Sequence, residues 1–409
     1  MAEWLLCILA LWLTAQLVYP ALTVAFARLF GRDLPNLKTE AEADIACIIT
    51  AYKNVEIARP LVESLLNQHY TRFCIYLVAD ECPAPEFHFN DERYVVMQPD
   101  PPLRLKVRSI IHAVSNFRRR HEYIAIFDAD NVAHPDFLKE TNRYLQQGYR
   151  CVQGRRTAKN TDTGYAGADG IGESYKNYIE RYVPWLLNGS AVISGSGMTT
   201  AYEEYVGYLN SPEISQGNLK GKRMLQEDKI LQNYLVRRGI QIAYARQAIV
   251  FDEKTETAKG IETQRSRWLY SYFQNIPNAL KILWEGIVGG LDMRKLYFAW
   301  VTLALPLFIQ LGLSILAAAI AWFVVPVWTY ILMSALILFA GNTLLVLRLD
   351  GAPGSLWRSV ARVPSFFWLQ FRSLLKMRNP DKYFAHTEHR RVLRVDELAE
   401  RSDAPDAQN

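Results

Sequence analysis

The sequence predicts an α/β domain built on a doubly wound, mainly parallel sheet and flanked on both sides by transmembrane helices. Three observations carry that expectation. Charge-free apolar stretches stand near both ends of the chain. Between them, short β-branched runs alternate with helical patterns, and acidic residues gather where those runs stop.

The chain has 409 residues, 50% of them hydrophobic, and a formal net charge of +5. Such a composition excludes a disordered chain. The charge excess is mild, and no basic block is interleaved with aromatics, so nucleic acid is not an expected partner. Cys7, Cys47, Cys74, Cys82 and Cys151 form no CxxC pair and have no histidine at ligand spacing. Neither a zinc site nor a disulfide framework follows, and scattered thiols fit a reducing compartment.

In chain order, the first element is Trp4–Ala27, which is free of charge and long enough to cross a bilayer. Ala25-Phe26-Ala27 resembles a signal-peptide cleavage site. However, the preceding region holds Glu3 and no Lys or Arg, and the apolar run is long, so a retained anchor is expected. Leu296–Leu347 is again uncharged. As helix it would run roughly 78 Å, enough for two crossings, with Pro326 as the turn. Arg28, Arg32, Arg294, Lys295, Arg348, Arg358 and Arg362 flank these spans consistently on one side. The positive-inside rule then places residues 28–295 and the C-terminus in the cytoplasm of a multi-pass protein of the plasma or inner membrane.

Leu356–Met377 is apolar but broken by Arg358, Arg362, Arg372 and Lys376, with Phe366, Phe367, Trp368 and Phe371 clustered inside it. That pattern predicts an amphipathic helix lying in the membrane interface. The expected partition is a first span over 1–30, a catalytic-sized domain over 31–278 and an interface segment over 279–295. Two spans follow over 296–348, then an interface helix and loop over 355–390 and a polar tail over 391–409.

Within the large domain, Asp44–Thr50, Phe73–Ala79, Tyr94–Gln98 and Glu122–Phe127 read as strands. Val55–Gln68, Leu105–Arg120 and Pro135–Gln147 read as helices. Ligands of such sheets bind beyond the carboxyl ends of the strands, so the polar residues there are the candidates. Strand one ends in Thr50-Ala51-Tyr52, strand two in Asp80, and strand four in Asp128-Ala129-Asp130.

Two carboxylates two residues apart past an apolar strand suit a hard divalent cation such as Mg²⁺ or Mn²⁺, completed by substrate phosphates. The same residues also suit a strand-to-helix turn with Asp130 or Asn131 as cap. Asp80 could accept hydrogen bonds from a base or ribose, or simply cap a turn. Lys106, near Arg104 and Arg108, could pair with phosphates, or open a solvated basic helix.

Gly195-Ser196-Gly197-Met198 follows Ala191-Val192-Ile193 and allows close backbone approach to a ligand, or an ordinary turn. Tyr175, Tyr178, Tyr182 and Trp185 recur at helical spacing. Such a stripe is usually core, though beside a sugar site it could stack on a saccharide. Gln226-Glu227-Asp228 opens an amphipathic helix running to Arg238. One of its carboxylates could serve as general base, while acidic first turns are also ordinary dipole partners. Gln264, Arg267 and Trp268 fall on one helical face. They suit a diphosphate and a sugar, or an amphipathic helix with its indole at the membrane surface.

Taken in order, these motifs resemble the membrane-integrated family-2 glycosyltransferases of the cellulose, hyaluronan and chitin synthase group. The resemblance rests on Asp80, Asp128/Asp130, Glu227/Asp228 and Gln264-Arg265-Ser266-Arg267-Trp268, over roughly residues 44–275. It implies a GT-A-like domain and a nucleoside-diphosphate sugar donor, expected to be UDP-linked. It also implies that Ala51, Tyr52, Asp80 and Lys106 hold the nucleotide and that Asp128 and Asp130 hold metal and diphosphate. Asp228, beside Glu227, would be the base. Gly195, Ser196 and Gly197 would underlie the acceptor, and Gln264, Arg267 and Trp268 would close over diphosphate and acceptor. His386-Thr387-Glu388-His389 resembles the family's gating segment.

The leading expectation is therefore an inverting β-glycosyltransferase that extends a polysaccharide. Three spans are fewer than secreting members usually carry, so export would call for a homo-oligomer or an export partner. The alternative is addition of a single sugar to a lipid or oligosaccharide acceptor. A non-catalytic transport or scaffold protein is the third reading, against which the clustered Asp128, Asp130, Asp228, Arg267 and Trp268 argue.

Overall fold

The computed structural model describes residues 1–32, 41–223 and 225–377. The expected gating segment around His386 and the polar tail lie outside the described residues. Helix α1 (Ala2–Phe30) is followed by β1 (Ile45–Tyr52), a short 3-10 turn, α2 (Arg59–Leu66), β2 (Phe73–Asp80) and β3 (Tyr94–Met97). Then come α3 (Lys106–Ser115), β4 (Tyr123–Asp128), β5 (Val132–Ala133), α4 (Phe137–Leu145) and β6 (Cys151–Ala158). Helix α5 (Gly164–Lys176) runs through a π turn (Asn177–Tyr182) into α6 (Val183–Leu186). The domain continues with β7 (Met198–Ala201), α7 (Tyr202–Leu209), α8 (Pro212–Leu219), α9 (Glu227–Arg237) and β8 (Ile242–Asp252).

The strands form one eight-stranded sheet in the order β3-β2-β1-β4-β7-β6-β8-β5. The half containing β1 to β4 is parallel, as the alternation with helices predicts. The other half is mixed: β7 runs antiparallel to β4 and β6, β5 antiparallel to β8, and only β6 and β8 pair in parallel. Strands β5 to β8 escaped the sequence reading for a physical reason. Met198–Ala201 is four residues long, and β6 carries Gly154-Arg155-Arg156 at a register shift. Neither shows the unbroken β-branched run that marks β1, β2 and β4.

Parallel pairing is what builds the site. Thr50 lies opposite Asp128, and Tyr52 opposite Asp80, so three strand ends converge on one edge. Because β7 enters antiparallel, its preceding loop arrives at that same edge, where Gly197 N donates to Ile126 O at 2.8 Å.

Helix α10 (Ala258–Val288) leads to α11 (Met293–Leu303), then α12 (Leu307–Val324), α13 (Pro326–Leu349), α14 (Gly354–Ser359) and α15 (Val363–Leu375). Among the described residues, three helices are long and apolar enough to cross a membrane: Glu3–Phe30, Leu307–Val324 and Pro326–Leu349. Pro326 opens α13, as expected of the turn. Two boundaries differ from the sequence reading. Residues 296–303 belong to α11, which ends at Leu303 before Pro306, so the second helix long enough to cross a membrane begins at Leu307. The boundary expected at 278 falls inside α10, a helix of 31 residues.

The domain and the helices are joined by buried polar contacts. Arg155 Nη2 donates to the Asp350 carbonyl at 2.6 Å, and Ser174 Oγ to Asp350 Oδ2 at 2.6 Å. Tyr175 and Tyr178 pack with Leu17 and Phe339, and Trp185 is fully buried against Tyr144, so the aromatic stripe is core.

Candidate active site

The sheet edge positions the first group of side chains. The Asp80 carboxylate is buried and accepts from Leu103 N at 2.7 Å and Arg104 N at 2.6 Å. It thereby pins the turn that starts α3 and places Lys106 at that helix's first residue. Ala51 and Tyr52 border the same cavity, and Tyr52 Oη donates to Glu81 Oε2 at 2.8 Å.

Lys106 is the centre of the arrangement. Its Nζ donates to Asp128 Oδ1 at 2.6 Å and to the Gly195 carbonyl at 3.1 Å, with Glu227 Oε1 at 3.4 Å. Burial alone would lower the lysine's pKa, but Asp128 and Glu227 outweigh it and hold the ammonium charged. Glu227 is raised above the ordinary carboxylate value: burial raises it, Lys106 offsets part of that, and Asp228 raises it further.

Glu227 and Asp228 sit in the first turn of α9, entered through Gln226 at φ 54°. Asp228 Oδ1 accepts from Lys229 N at 2.8 Å. A Cβ at Gly195 would stand 3.6 Å from Asp228 Oδ2, so the base candidate lies directly over this glycine. Gly195 has φ +83°, a conformation that side chains resist. Ser196 and Gly197 correct the sequence reading. Ser196 is fully buried, and a Cβ at Gly197 would meet Val250 Cγ1 at 2.5 Å. Of the three, Gly195 alone borders the cavity; the other two form the layer behind its wall.

Asp128 and Asp130 both border the cavity. Asn131 braces them: its Oδ1 accepts from Asp128 N at 3.1 Å, and its Nδ2 reaches Asp130 Oδ1 at 3.3 Å and Asp252 Oδ1 at 3.4 Å. Among the described residues no further His, Cys, Asp or Glu completes a protein-only metal cluster. The two carboxylates could hold Mg²⁺ or Mn²⁺ where phosphates and water supply the rest of the ligands. Asp128 already draws the Lys106 ammonium to 2.6 Å, as a site suited to a cation would.

A buried ionic network escaped the sequence reading. Arg156 Nη2 meets Asp252 Oδ2 at 2.6 Å, and Lys254 Nζ meets Asp252 at 3.0 Å and Glu173 at 3.1 Å. Arg181, on the π turn, pairs with Glu173 at 2.9 Å. Burial would raise the Asp252 carboxyl, but Arg156 and Lys254 hold it down at about 2. The signal was present: Ile249-Val250-Phe251 runs into Asp252-Glu253-Lys254 much as strand four runs into Asp128-Ala129-Asp130.

On α10, Gln264, Arg267 and Trp268 all face the cavity, as their spacing predicts. Thr255 Oγ1 donates to Gln264 Oε1 at 3.4 Å. Burial lowers the Arg267 guanidinium below its usual range. Trp268 is braced by cations, with Arg265 at 4.4 Å and Lys176 at 5.5 Å from its ring centre, and Arg265 pairs with Asp169.

A single cavity of about 1970 Å³ joins these groups. Its lining includes Asp80, Asp128 and Asp228, Trp268 and Tyr272, and, on α12, α13 and α15, Leu311, Ile315, Phe339, Leu344 and Phe367.

A strand-edge Asp pair facing an acidic helix start and a Gln-x-x-Arg-Trp helix across one cleft coincides with a sequence match. The profile of the glycosyltransferase like family 2 covers residues 43–271, more than half the chain. The chain belongs to this family. Among solved structures, the mannosyltransferase PcManGT from Pyrobaculum calidifontis, determined with GDP-Man and Mn²⁺, superposes with a TM-score of 0.53 at 14% identity. That match covers 90% of this chain and 99% of the other. At that identity the likeness establishes the GT-A-like fold. TarS of S. aureus matches at 12% identity and a TM-score of 0.40 over 59% of this chain and 40% of its own. No curated protein matches the chain by sequence. The family-2 glycosyltransferase domain thus spans β1 to the first half of α10, and the apolar helices flank it.

Proposed function

We propose that this protein is an inverting glycosyltransferase that moves one sugar from a nucleoside-diphosphate sugar to a hydroxyl of a lipid acceptor reached from the bilayer. The observation that carries this reading is the continuity of the cavity from Asp128 and Asp228 to the apolar walls of α12, α13 and α15. A saccharide chain threaded between those helices would need polar partners for its many hydroxyls, whereas the lining there is mainly apolar, with Gln310, Thr343 and Gln370 its polar side chains, and suits hydrocarbon.

In this reading Ala51, Tyr52 and Asp80 frame the nucleotide, and Lys106 and Arg267 meet the diphosphate. Asp128 and Asp130 would hold the divalent cation, which, when bound, neutralises the departing nucleoside diphosphate. Asp228 Oδ2, lying over Gly195, takes the proton of the acceptor hydroxyl. The acceptor's oxygen, so deprotonated, forms a bond to the sugar's anomeric carbon as the bond from that carbon to the phosphate oxygen breaks, inverting the centre in one step. Glu227, held by Lys106 at 3.4 Å, places a second carboxylate beside Asp228 in the same helical turn. Gln264 and Trp268 close the acceptor side, with the indole fixed against Arg265.

The full chain, purified in detergent and supplied with a panel of UDP- and GDP-sugars and a lipid extract, should yield a product one sugar heavier than a lipid. Mass spectrometry reads this directly. A ladder or high polymer would instead support the polysaccharide-extending reading. That second reading is favoured by the presentation of Gln264, Arg267 and Trp268 together on one wall.

A further inference from the structure

Three amide side chains lie buried among the membrane helices. Gln16 on α1, Gln310 on α12 and Asn342 on α13 are 2%, 2% and 6% exposed. Each has an amide atom without a hydrogen-bond partner: Oε1 of Gln16, Nε2 of Gln310 and Nδ2 of Asn342. Only Gln310 borders the cavity that contains Asp128 and Asp228. A polar group held unpaired in apolar surroundings is costly, and the Gln310 amide, shielded as it stands, need only rotate towards the adjoining cavity for a ligand there to supply the missing bond. Its neighbours along the cavity, Leu307, Phe308 and Leu311, offer none.

Depth identifies the ligand's chemistry. Gln310 is three residues past the start of α12 at Leu307. At ~1.5 Å per residue this is about 5 Å into the span, at the end that meets the catalytic domain. In a bilayer whose hydrocarbon core is about 30 Å thick, this is the level where acyl chains join a lipid's polar part. An acyl lipid carries an ester or amide there. A polyprenyl phosphate carries only hydrocarbon below its phosphate. An amide can turn to present either N–H or C=O, so Gln310 can pair with a carbonyl, a hydroxyl or an amide N–H.

The reaction end points the same way. Glu227 and Asp228 would repel a phosphate acceptor, and an ionised phosphate needs no base, whereas a hydroxyl does.

We infer that Gln310 reads the ester or amide linkage of an acyl lipid, so that the acceptor is a hydroxyl-bearing glycerolipid or sphingolipid rather than a polyprenyl phosphate. This rests on the lipid-acceptor reading above and specifies its substrate class.

The test reconstitutes the full chain in phosphatidylcholine vesicles containing dioleoylglycerol, its dioleyl ether analogue, N-oleoylsphingosine or a polyprenyl phosphate. Wild type and Gln310→Leu are compared with the best nucleotide sugar. The expected result is sugar transfer to an acyl lipid, with Q310L raising that lipid's KM about tenfold, the scale of one lost buried hydrogen bond. Nucleotide affinity and kcat should stay within about twofold. The ether analogue should show the higher KM with wild type and gain nothing further in Q310L. Binding of UDP or GDP by Q310L reports its fold. Gln310→Asn, which withdraws the amide by one methylene, provides the same readout if Q310L does not bind. An unchanged KM, or transfer to polyprenyl phosphate alone, would overturn the inference while leaving lipid transfer standing. If no lipid takes sugar, the lipid-acceptor reading has itself failed and the inference falls with it; product sizing distinguishes that case.

Discussion

The ammonium of Lys106 lies 2.6 Å from Asp128 Oδ1, although the two residues come from different strand-to-helix crossings. The same nitrogen reaches the Gly195 carbonyl at 3.1 Å and Glu227 at 3.4 Å. One cation thus links the carboxylates on the sheet edge to those at the start of α9, the two groups assigned above to donor and base.

Lys106→Ala should therefore raise the KM for the nucleotide sugar by about tenfold or more. Lys106→Arg should not restore it, because a planar guanidinium cannot place one point charge between Asp128 and the Gly195 carbonyl. Donor titration of both variants checks this; wild-type affinity in K106A would detach Lys106 from the donor.

Asp130→Asn should lower transfer by two orders of magnitude or more. Wild type stripped with EDTA should regain activity on addition of Mn²⁺ or Mg²⁺, and D130N should respond to neither. A metal titration that leaves D130N superimposable on wild type would refute the assignment.

Asp228→Asn should reduce transfer by about 10²- to 10⁴-fold, the usual scale for a general base. It should bind UDP or GDP as wild type does, since its carboxylate faces Gly195 rather than the sheet edge. Loss of nucleotide binding would move Asp228 to a donor or folding role.

Asp252 predicts the response to acid. Its carboxyl is held at about 2, below the ordinary 3.8, by Arg156 and Lys254 against the opposing effect of burial. A depressed carboxyl stabilises the fold fully above its unfolded value and loses that contribution as pH falls through the folded one. Thermal melts in detergent should therefore lose stability between about pH 4 and pH 2. Asp252→Asn should be less stable at neutral pH and flatter across that window. An equally steep acid loss in the variant would place its origin elsewhere.

Much of the site was legible because apolar parallel strands announce themselves. Ile45–Tyr52, Phe73–Asp80 and Tyr123–Asp128 are runs buried on both faces, and such runs leave polar residues where they end. The Gln264, Arg267 and Trp268 face followed from helical spacing, and the helices long enough to cross a membrane from charge-free length. Short or interrupted strands carry no such signature, so Met198–Ala201 and the Arg156–Asp252 pair stayed hidden.

The amino-acid sequence by itself determined the class of the domain, its strand-end carboxylates, the acidic turn, the aromatic-cationic helix and three apolar spans. Each is a local pattern of period or charge. Only the tertiary structure decided which of these meet. It set Lys106 between Asp128 and Glu227, laid Asp228 over Gly195, withdrew Ser196 and Gly197 behind the wall, and opened the cleft toward Gln310. Those relationships depend on strand order and on how the domain docks against the helices, through contacts between residues as distant as Arg155 and Asp350, which no local pattern encodes.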